Sequence, residues 1–574
     1  MKRKEVKKQN IIQLLLTLLI ILLVNYIFSF VIVRVDLTAE KRYSISEPTK
    51  DLLKKLNDIV YFKVYLKGDL PAGFKQLEKS TKEMLDEFRA YSKNNIEYEF
   101  INPSKSSDKK TRNEIYRQLF DKGLQPTNLN FKEEDGTKSQ KIIFPGLIVS
   151  YRGEELAVNI LSNNINASPE QNLNESIQEL EYKLSNSIKK ITTILKPEIA
   201  FIEGQGELNK NSVLDITNSL KEFYNVKRVR LDNKLNSLRD SLKHNKYSLI
   251  IIAKPDSAFN EKDKFIIDQF IMNGGKVLWL VDAVKTDIDS LAYSNSTIAL
   301  ANNINIDDQL FKYGVRINPN LIEDIQCAII PVNTSVVGTQ PKFSPTPWLF
   351  FPLISPSQTN PITRNLNLIK TEFVSSIDTV GNNPSVKKTI LLHSSNYTKV
   401  VNAPVRISLD MVDEKPDQRQ FNKRNVPIAV LLEGQFESVF KNRLTAEIVK
   451  NKDIAYKYKS DETKMIVVAD GDVIKNQVRH YGKKVIPYPL GYDRYTRQTF
   501  GNKEFILNAI DYLVGNSSLM KVRSREIKLR LLDKTKISNQ RLKWQIVNTV
   551  LPILVIIIIG IILILIRKRK YTRL

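Results

Sequence analysis

The sequence predicts an α/β protein carried between two apolar helices, one near each end of the chain. Three observations lead there. Two long stretches, 11–33 and 546–566, carry no charged residue. Between them, short runs rich in Val, Ile and aromatic residues alternate with stretches of helical apolar spacing. Proline and glycine punctuate the junctions, as at Pro197, Gly274 and Gly275.

The ends come first. Ile11 to Val33 is interrupted only by Gln13, Asn25 and a few hydroxyls, and Ile546 to Ile566 is a run of Ile, Leu and Val that holds Pro552 and Gly560. Both stretches are long enough to cross a hydrocarbon core of ~30 Å as helices. Proline and glycine are tolerated in such helices. The tail 1–10 carries Lys2, Arg3, Lys4, Lys7 and Lys8 against Glu5, and the tail 567–574 carries Arg567, Lys568, Arg569, Lys570 and Arg573 with no acid. Short basic tails stay cytoplasmic. The expectation is therefore an inner-membrane protein with both termini cytoplasmic and the bulk of the chain periplasmic. The basic juxtamembrane segment 521–545 argues the other way, but long translocated domains escape the charge rule. The first span reads as an anchor, because its apolar core is long and no small-x-small cleavage site follows it.

Net charge is +25, of which the tails hold +4 and +5, leaving +16 on residues 34–545. That excess suits membrane lipid or an acidic partner. No nucleic-acid recognition motif is present, so nucleic acid is not an expected partner. Cys327 is the single cysteine, which excludes an internal disulfide and any Cys-rich metal spacing.

Residues 34–165 read as a thioredoxin-like α/β domain. A helix is expected over Glu47–Leu56, a strand over Val60–Leu66 and a helix over Pro71–Tyr91. A strand over Ile96–Ile101 and a helix over Asn113–Asp121 follow. Strands over Thr127–Lys132 and Lys141–Tyr151, joined by Glu134-Asp135-Gly136, complete it. Residues 34–326 contain no cysteine, so such a fold would serve packing or binding and not redox chemistry. Residues 166–196 read as a connecting amphipathic helix, with Leu173, Ile177, Leu180, Leu184, Ile188 and Ile191 at helical spacing.

Residues 197–520 read as a doubly wound, flavodoxin- or amidotransferase-like α/β domain. Strand Ile199–Glu203, helix Ser212–Tyr224, strand Val226–Leu231, a helix near Leu235–His244, strand Tyr247–Ala253, helix Glu261–Asn273 and strand Val277–Val281 alternate. The last two strands are continuously apolar, as buried parallel strands are. The pattern breaks into an irregular Pro- and aromatic-rich insertion over 331–427, containing Trp348-Leu349-Phe350-Phe351-Pro352. Trp348 there is either part of a lid on the sheet or an exposed contact surface. Strands Ile428–Leu432 and Met465–Ala469 and a helix over Asn502–Leu513 resume the core.

Ligands of doubly wound sheets sit at the carboxyl ends of strands. The first such turn is Gly204-Gln205-Gly206-Glu207, a candidate binding site whose glycines permit close backbone approach. Its spacing is neither that of a dinucleotide fingerprint nor that of a P-loop, so no nucleotide cofactor is expected. A plain tight turn with Glu207 facing the next helix is the simpler reading. Asp470-Gly471-Asp472 is a second candidate, since paired carboxylates suit a hard cation. It also reads as a charged turn, and no metal is assigned. Cys327 lacks the glycines of a nucleophile elbow, and His244, His393 and His480 fall in no catalytic motif. No catalytic residue is assigned.

Several stretches taken together resemble the gliding-motility-associated ABC transporter auxiliary family of Bacteroidetes (GldG type), over nearly the whole chain. They are Val35-Asp36-Leu37-Thr38-Ala39-Glu40-Lys41-Arg42-Tyr43, Tyr65-Leu66-Lys67-Gly68-Asp69-Leu70-Pro71-Ala72-Gly73-Phe74, Leu85-Asp86-Glu87-Phe88, Asn273-Gly274-Gly275-Lys276-Val277-Leu278-Trp279, Val468-Ala469-Asp470-Gly471-Asp472, Pro489-Leu490-Gly491-Tyr492-Asp493 and Gly501-Asn502-Lys503-Glu504-Phe505. The resemblance implies a non-enzymatic accessory subunit that works with a separate cytoplasmic P-loop ATPase and a multi-span permease. The family's first turn usually reads Gly-His-Gly-Glu. Gln205 stands at the His position here, which removes any role for that imidazole. Two other readings stay open: a membrane-anchored solute receptor, and a hydrolase- or amidotransferase-like enzyme that uses the Glu207 turn.

Overall fold

The computed structural model describes residues 11–23, 45–132, 138–162, 168–193, 195–333, 343–381, 383–413, 415–482, 484–515 and 534–571. The tails 1–10 and 572–574, the rest of the first span, the Val35–Tyr43 motif, the turn at 134–136 and the basic residues Arg523, Arg525, Lys528 and Arg530 lie outside them. The described chain is mixed α/β. It divides into two compact units, one of the terminal helices and one of everything between them.

In the terminal unit, one helix runs Lys534–Tyr571 with Pro552 inside it. Its stretch Leu542–Ile566, 25 residues, is apolar and long enough to cross a membrane. At 1.5 Å per residue it is about 37 Å long. The described part of the N-terminal apolar helix, Ile11–Leu23, is shorter than a span.

The central unit begins with a four-stranded sheet. Its strands are β1 (Val60–Val64), β2 (Ile96–Phe100), β3 (Gly146–Tyr151) and β4 (Glu154–Asn159), in the order β2-β1-β3-β4. β1 and β2 are parallel, and β3 and β4 pair antiparallel. Helix α1 (Ala72–Tyr91) buries Phe74, Leu77, Thr81, Leu85 and Phe88, a stripe three or four apart. The expected strand over Lys141–Tyr151 is two strands. Lys138–Ile143 pairs with Thr127–Lys132 in a separate hairpin, and β3 starts after Phe144-Pro145. Proline has no N–H for a ladder and ends the first strand there. The expected connecting helix is also two, α2 (Pro169–Gln178) and α3 (Leu180–Thr192). It is more than a connector, because Leu180, Leu184 and Ile188 complete the core under the four-stranded sheet.

The second sheet has ten strands among the described residues. Nine form its path: β5 (Glu198–Glu203), β6 (Asn225–Arg230), β7 (Leu249–Ala253), β8 (Lys276–Leu280), β9 (Cys327–Asn333), β10 (Phe343–Pro356), β11 (Val386–His393), β12 (Pro427–Gly434) and β13 (Thr463–Val468). Their order is β9-β10-β11-β12-β13-β8-β7-β5-β6. From β6 to β13 all neighbours are parallel; from β13 to β9 all are antiparallel. Both faces are covered. Ile199, Phe201, Leu249 and Ile251 pack under α4 (Leu214–Lys221) and α6 (Asn502–Val514). Ala200, Ile202, Ile250 and Ile252 pack under α5 (Glu261–Met272) and the helix Asp307–Tyr313. Burial on both faces explains why these strands read as unbroken apolar runs. Each fully buried Ile, Leu or Phe contributes about 1.5–3 kcal/mol.

Two expectations fail here. Leu235–His244 is a series of turns, not a helix. Arg239 leaves the local chain and donates to the carbonyls of Ile454 and Ala455, so a tertiary contact overrides the apolar spacing. The stretch 331–427 is not an irregular insertion either. β10, 14 residues long, and β11 carry the sheet onward from β12. The two sheet regions meet where Tyr182 packs with Leu52 and Tyr512, and where Lys190 lies 3.7 Å over the Phe223 ring.

Candidate functional site: the carboxyl edge of the parallel strands

Residues from four strand ends converge at one edge of the sheet. β5 leads into Gly204-Gln205-Gly206-Glu207. The Gln205 carbonyl accepts the N–H groups of Asp256 and Ser257 at 2.9 and 3.1 Å, which ties this turn to the end of β7. Gly206 has φ +73°, and a Cβ there would lie 1.7 Å from Asp256 Oδ1. The Gln205 side chain is buried, and its Nε2 donates to Asp263 Oδ2 at 3.0 Å. Glu207 does not face the next helix. It folds back so that Oε2 accepts the Gln205 N–H at 2.8 Å. Burial pushes its carboxyl above the usual range, against the backbone N–H groups of its own turn. The amides that would greet an anionic ligand therefore already hold a carboxylate of this chain.

The second candidate is built around Lys254, at the end of β7. Its Nζ lies 3.1 Å from Asp282 at the end of β8 and bonds Asp472 beyond β13. Asp282 also accepts the Gly471 N–H. Asp470 is buried and accepts the N–H of Asp472 at 2.7 Å and of Glu372 at 2.8 Å. Lys475 stands 3.3 Å from Asp472. Gly471 is required by close approach, since a Cβ there would lie 2.5 Å from Lys254 Cβ.

Charges decide how these groups titrate. Burial works against the Lys254 ammonium, but Asp472 and Asp282 outweigh it and hold the proton more tightly than in an ordinary lysine. Burial pushes Asp282 up to about 6, with Lys254 pulling the other way. Burial, then Asp472 and Asp282, push Asp470 well above the carboxylate range. Burial would raise Asp472 too, yet Lys254 and Lys475 hold it below. Carboxylate oxygens of Asp282, Asp470 and Asp472 all lie within 4.8 Å of one another, a spacing that a cation could bridge. The Lys254 ammonium, bonded to both Asp282 and Asp472, already supplies the positive charge. A metal would have to displace it, so the donor set fits an internal ion cluster better than a metal centre.

A cleft of about 260 Å³ opens beside this cluster, lined by Asp282, Asn302, Asp307, Leu310, Arg316 and Pro319 among others. No imidazole reaches it: His244 and His480 are exposed elsewhere, and His393 bonds the Ser394 carbonyl. Cys327 is half-buried and not fully enclosed. Burial and Asp324 raise its thiol to about 11, so it is protonated at neutral pH.

Of the residues singled out in the sequence, the fold brings Gly204, Gln205, Gly206 and Glu207 to one turn, and Asp470 and Asp472 to the ion cluster. Trp348 joins neither. It is 2% exposed and packs with Phe350 and Phe351, so it offers no aromatic surface to solvent. Sequence reasoning missed Lys254, Asp282 and Lys475. Lys254 and Asp282 each follow an apolar strand immediately, and that position was the available signal.

Relatives bear on the whole chain. A Borreliella burgdorferi protein described as uncharacterized is 22% identical over 582 residues, covering 98% of this chain and 99% of its own length. The solved mmIFT52 N-terminal domain is 12% identical, with a TM-score of 0.30, covering 55% of this chain and 97% of that one. Residues 39–150 match a domain of unknown function (DUF7088). Residues 196–509, which span the second sheet and both candidate turns, match the family described as an ABC-type uncharacterized transport system, and the chain belongs to that family.

Proposed function

We propose that this chain is a non-enzymatic accessory subunit of an ABC-type transporter, anchored in the inner membrane with both termini cytoplasmic and residues 34–545 periplasmic. It works with a separate P-loop ATPase and a multi-span permease, and the system serves gliding motility. The observation that carries the accessory reading is the family match over residues 196–509. The strand-end chemistry supports the non-enzymatic part: at the edge where an α/β sheet binds its ligand, Glu207 fills the amides of the first turn and Lys254 neutralises the carboxylates. The apolar helix Leu542–Ile566 supports anchoring. We read the two sheets as thioredoxin-like and doubly wound domains, bounded at 34–165 and 197–520 and joined by 166–196.

Mild crosslinking in membranes followed by affinity purification tests this reading. A P-loop ATPase and a multi-span permease should co-purify, and recovery of the chain without either removes it. Loss of surface translocation in a deletion strain checks the motility component. One observation favours a second reading, that of a solute receptor: the 260 Å³ cleft beside Asp282. A small molecule that raises the unfolding temperature of the intact chain, with the rise abolished by Arg316→Ala, would support it.

A further inference from the structure

A small antiparallel sheet stands apart from the ten-stranded one. It has three short strands, Val284–Lys285, Ser296–Ala301 and Val405–Ser408, with Ser296–Ala301 in the middle. Its inner face buries Val284, Ala299 and Ile407 against the cluster that contains Trp348 and Phe351. The two-residue period of a strand then turns Ile298 and Leu300 outward together. They are 62% and 55% exposed.

Their cross-strand partners are cations: Ile298 pairs with Arg406, and Leu300 pairs with Lys285. Arg406 and Lys285 are exposed and make no ion pair with a described residue. Asp410, bonded to Ser408 Oγ, closes one end of the face. Single exposed aliphatic residues are ordinary. Two on one strand, each beside a cation that has no ion pair among the described residues, make a surface that is apolar at its centre and positive at its flanks.

We propose that this face docks on an anionic lipid surface, with Ile298 and Leu300 entering the headgroup boundary and Lys285 and Arg406 meeting lipid phosphates. The chemistry matches that of interfacial membrane binding, in which apolar side chains insert and basic ones stay at headgroup level. Such a face is weak alone. The apolar helix Leu542–Ile566 is long enough to cross a bilayer, and a chain so anchored converts weak contact into frequent contact. The inference rests on the membrane-anchored reading above and not on the transporter role.

The test uses the full chain in nanodiscs, with Cys327→Ser and Ser296→Cys and an environment-sensitive fluorophore on the new thiol. Discs of phosphatidylcholine alone are compared with discs that also contain phosphatidylglycerol. In the anionic discs the emission should shift to the blue and be quenched by nitroxide-labelled lipid. Both effects should fade in high salt and in the pair Lys285→Glu with Arg406→Glu. A fluorophore at Lys262→Cys, exposed on α5, should respond to neither lipid. Equal emission in both discs, unquenched, overturns the proposal. So does a blue shift that nitroxide lipid does not quench, which assigns the face to a protein contact. If the chain fails to co-elute with discs at all, anchoring itself fails and the proposal falls with it.

Discussion

The turns after β5 and β13 are built from the same materials and behave oppositely. Each places carboxylates and glycine at the carboxyl edge of one sheet; at the first Gly204 and Gly206 are exposed and Gln205 is buried, and at the second Asp470 and Gly471 are both buried. At the first, Glu207 meets backbone N–H groups and the like charge of Glu203, and burial wins: its carboxyl is harder to ionise than usual. At the second, Asp472 meets two ammonium groups, and they win: its carboxyl is easier to ionise than usual. In the first turn the amide dipoles do not offset burial, whereas in the second the two ammonium groups do.

The largest break in this comparison comes from removing the cation. Lys254→Met leaves Asp282, Asp470 and Asp472 buried around a methyl thioether, and should cost about 3–5 kcal/mol. Urea unfolding of the detergent-solubilised chain measures it, and a loss below about 1 kcal/mol would show that Lys254 does not hold the cluster. Next come the glycines. Gly471→Ala drives a methyl into the Cβ and backbone of Lys254, which have nowhere to go, and should cost about 1–3 kcal/mol. Gly206→Ala meets the carboxylate of exposed Asp256, which can swing away, and should cost less, roughly 1 kcal/mol, from its positive φ. Equal losses would mean that the two turns are equally rigid.

The smallest effect is the most diagnostic. Because the Glu207 carboxyl is raised in the folded state, its contribution to stability is fully present below the unfolded value of about 4.3 and is lost as pH rises through the folded one. Glu207→Gln should therefore gain on the parent chain between pH 4 and neutrality, by less than about 1 kcal/mol. Urea midpoints at the two ends of that range check the sign. Asp282, raised to about 6, follows the same rule, losing its contribution between roughly pH 4 and 6. A gain by Glu207→Gln at low pH instead would reverse the assignment.

Much of this edge was legible before the structure. Leu249–Ala253 and Val277–Val281 read as buried parallel strands because both faces are covered, and that alone located the edge. Glycines flagged both turns. The partnership of Lys254 with Asp472 was not legible, since 218 positions separate them and nothing in local pattern links them. The stretch 331–427 misled for a related reason. Pro345, Pro347 and Pro352 argue against a central strand, yet β10 tolerates them: Pro345 and Pro347 pair with Pro331 and Ile329 in β9, and Pro352 with Cys327, across an irregular register. Leu235, Leu238 and Leu242 mimicked a helix, but Leu242 is 73% exposed and Arg239 is drawn to a distant chain segment.

The strand order carries a consequence for synthesis. β13 lies between β8 and β12, yet roughly 180 residues separate it from β8, and closing such a loop costs about 4–5 kcal/mol of chain entropy. On a ribosome, β8 emerges long before its neighbour exists. Until β13 arrives, the apolar strand Lys276–Leu280 presents an open edge, the feature that invites wrong pairing. The centre of the finished sheet is thus the last part to be sealed, and the newborn chain is most vulnerable to aggregation at the place where the mature protein is most deeply buried.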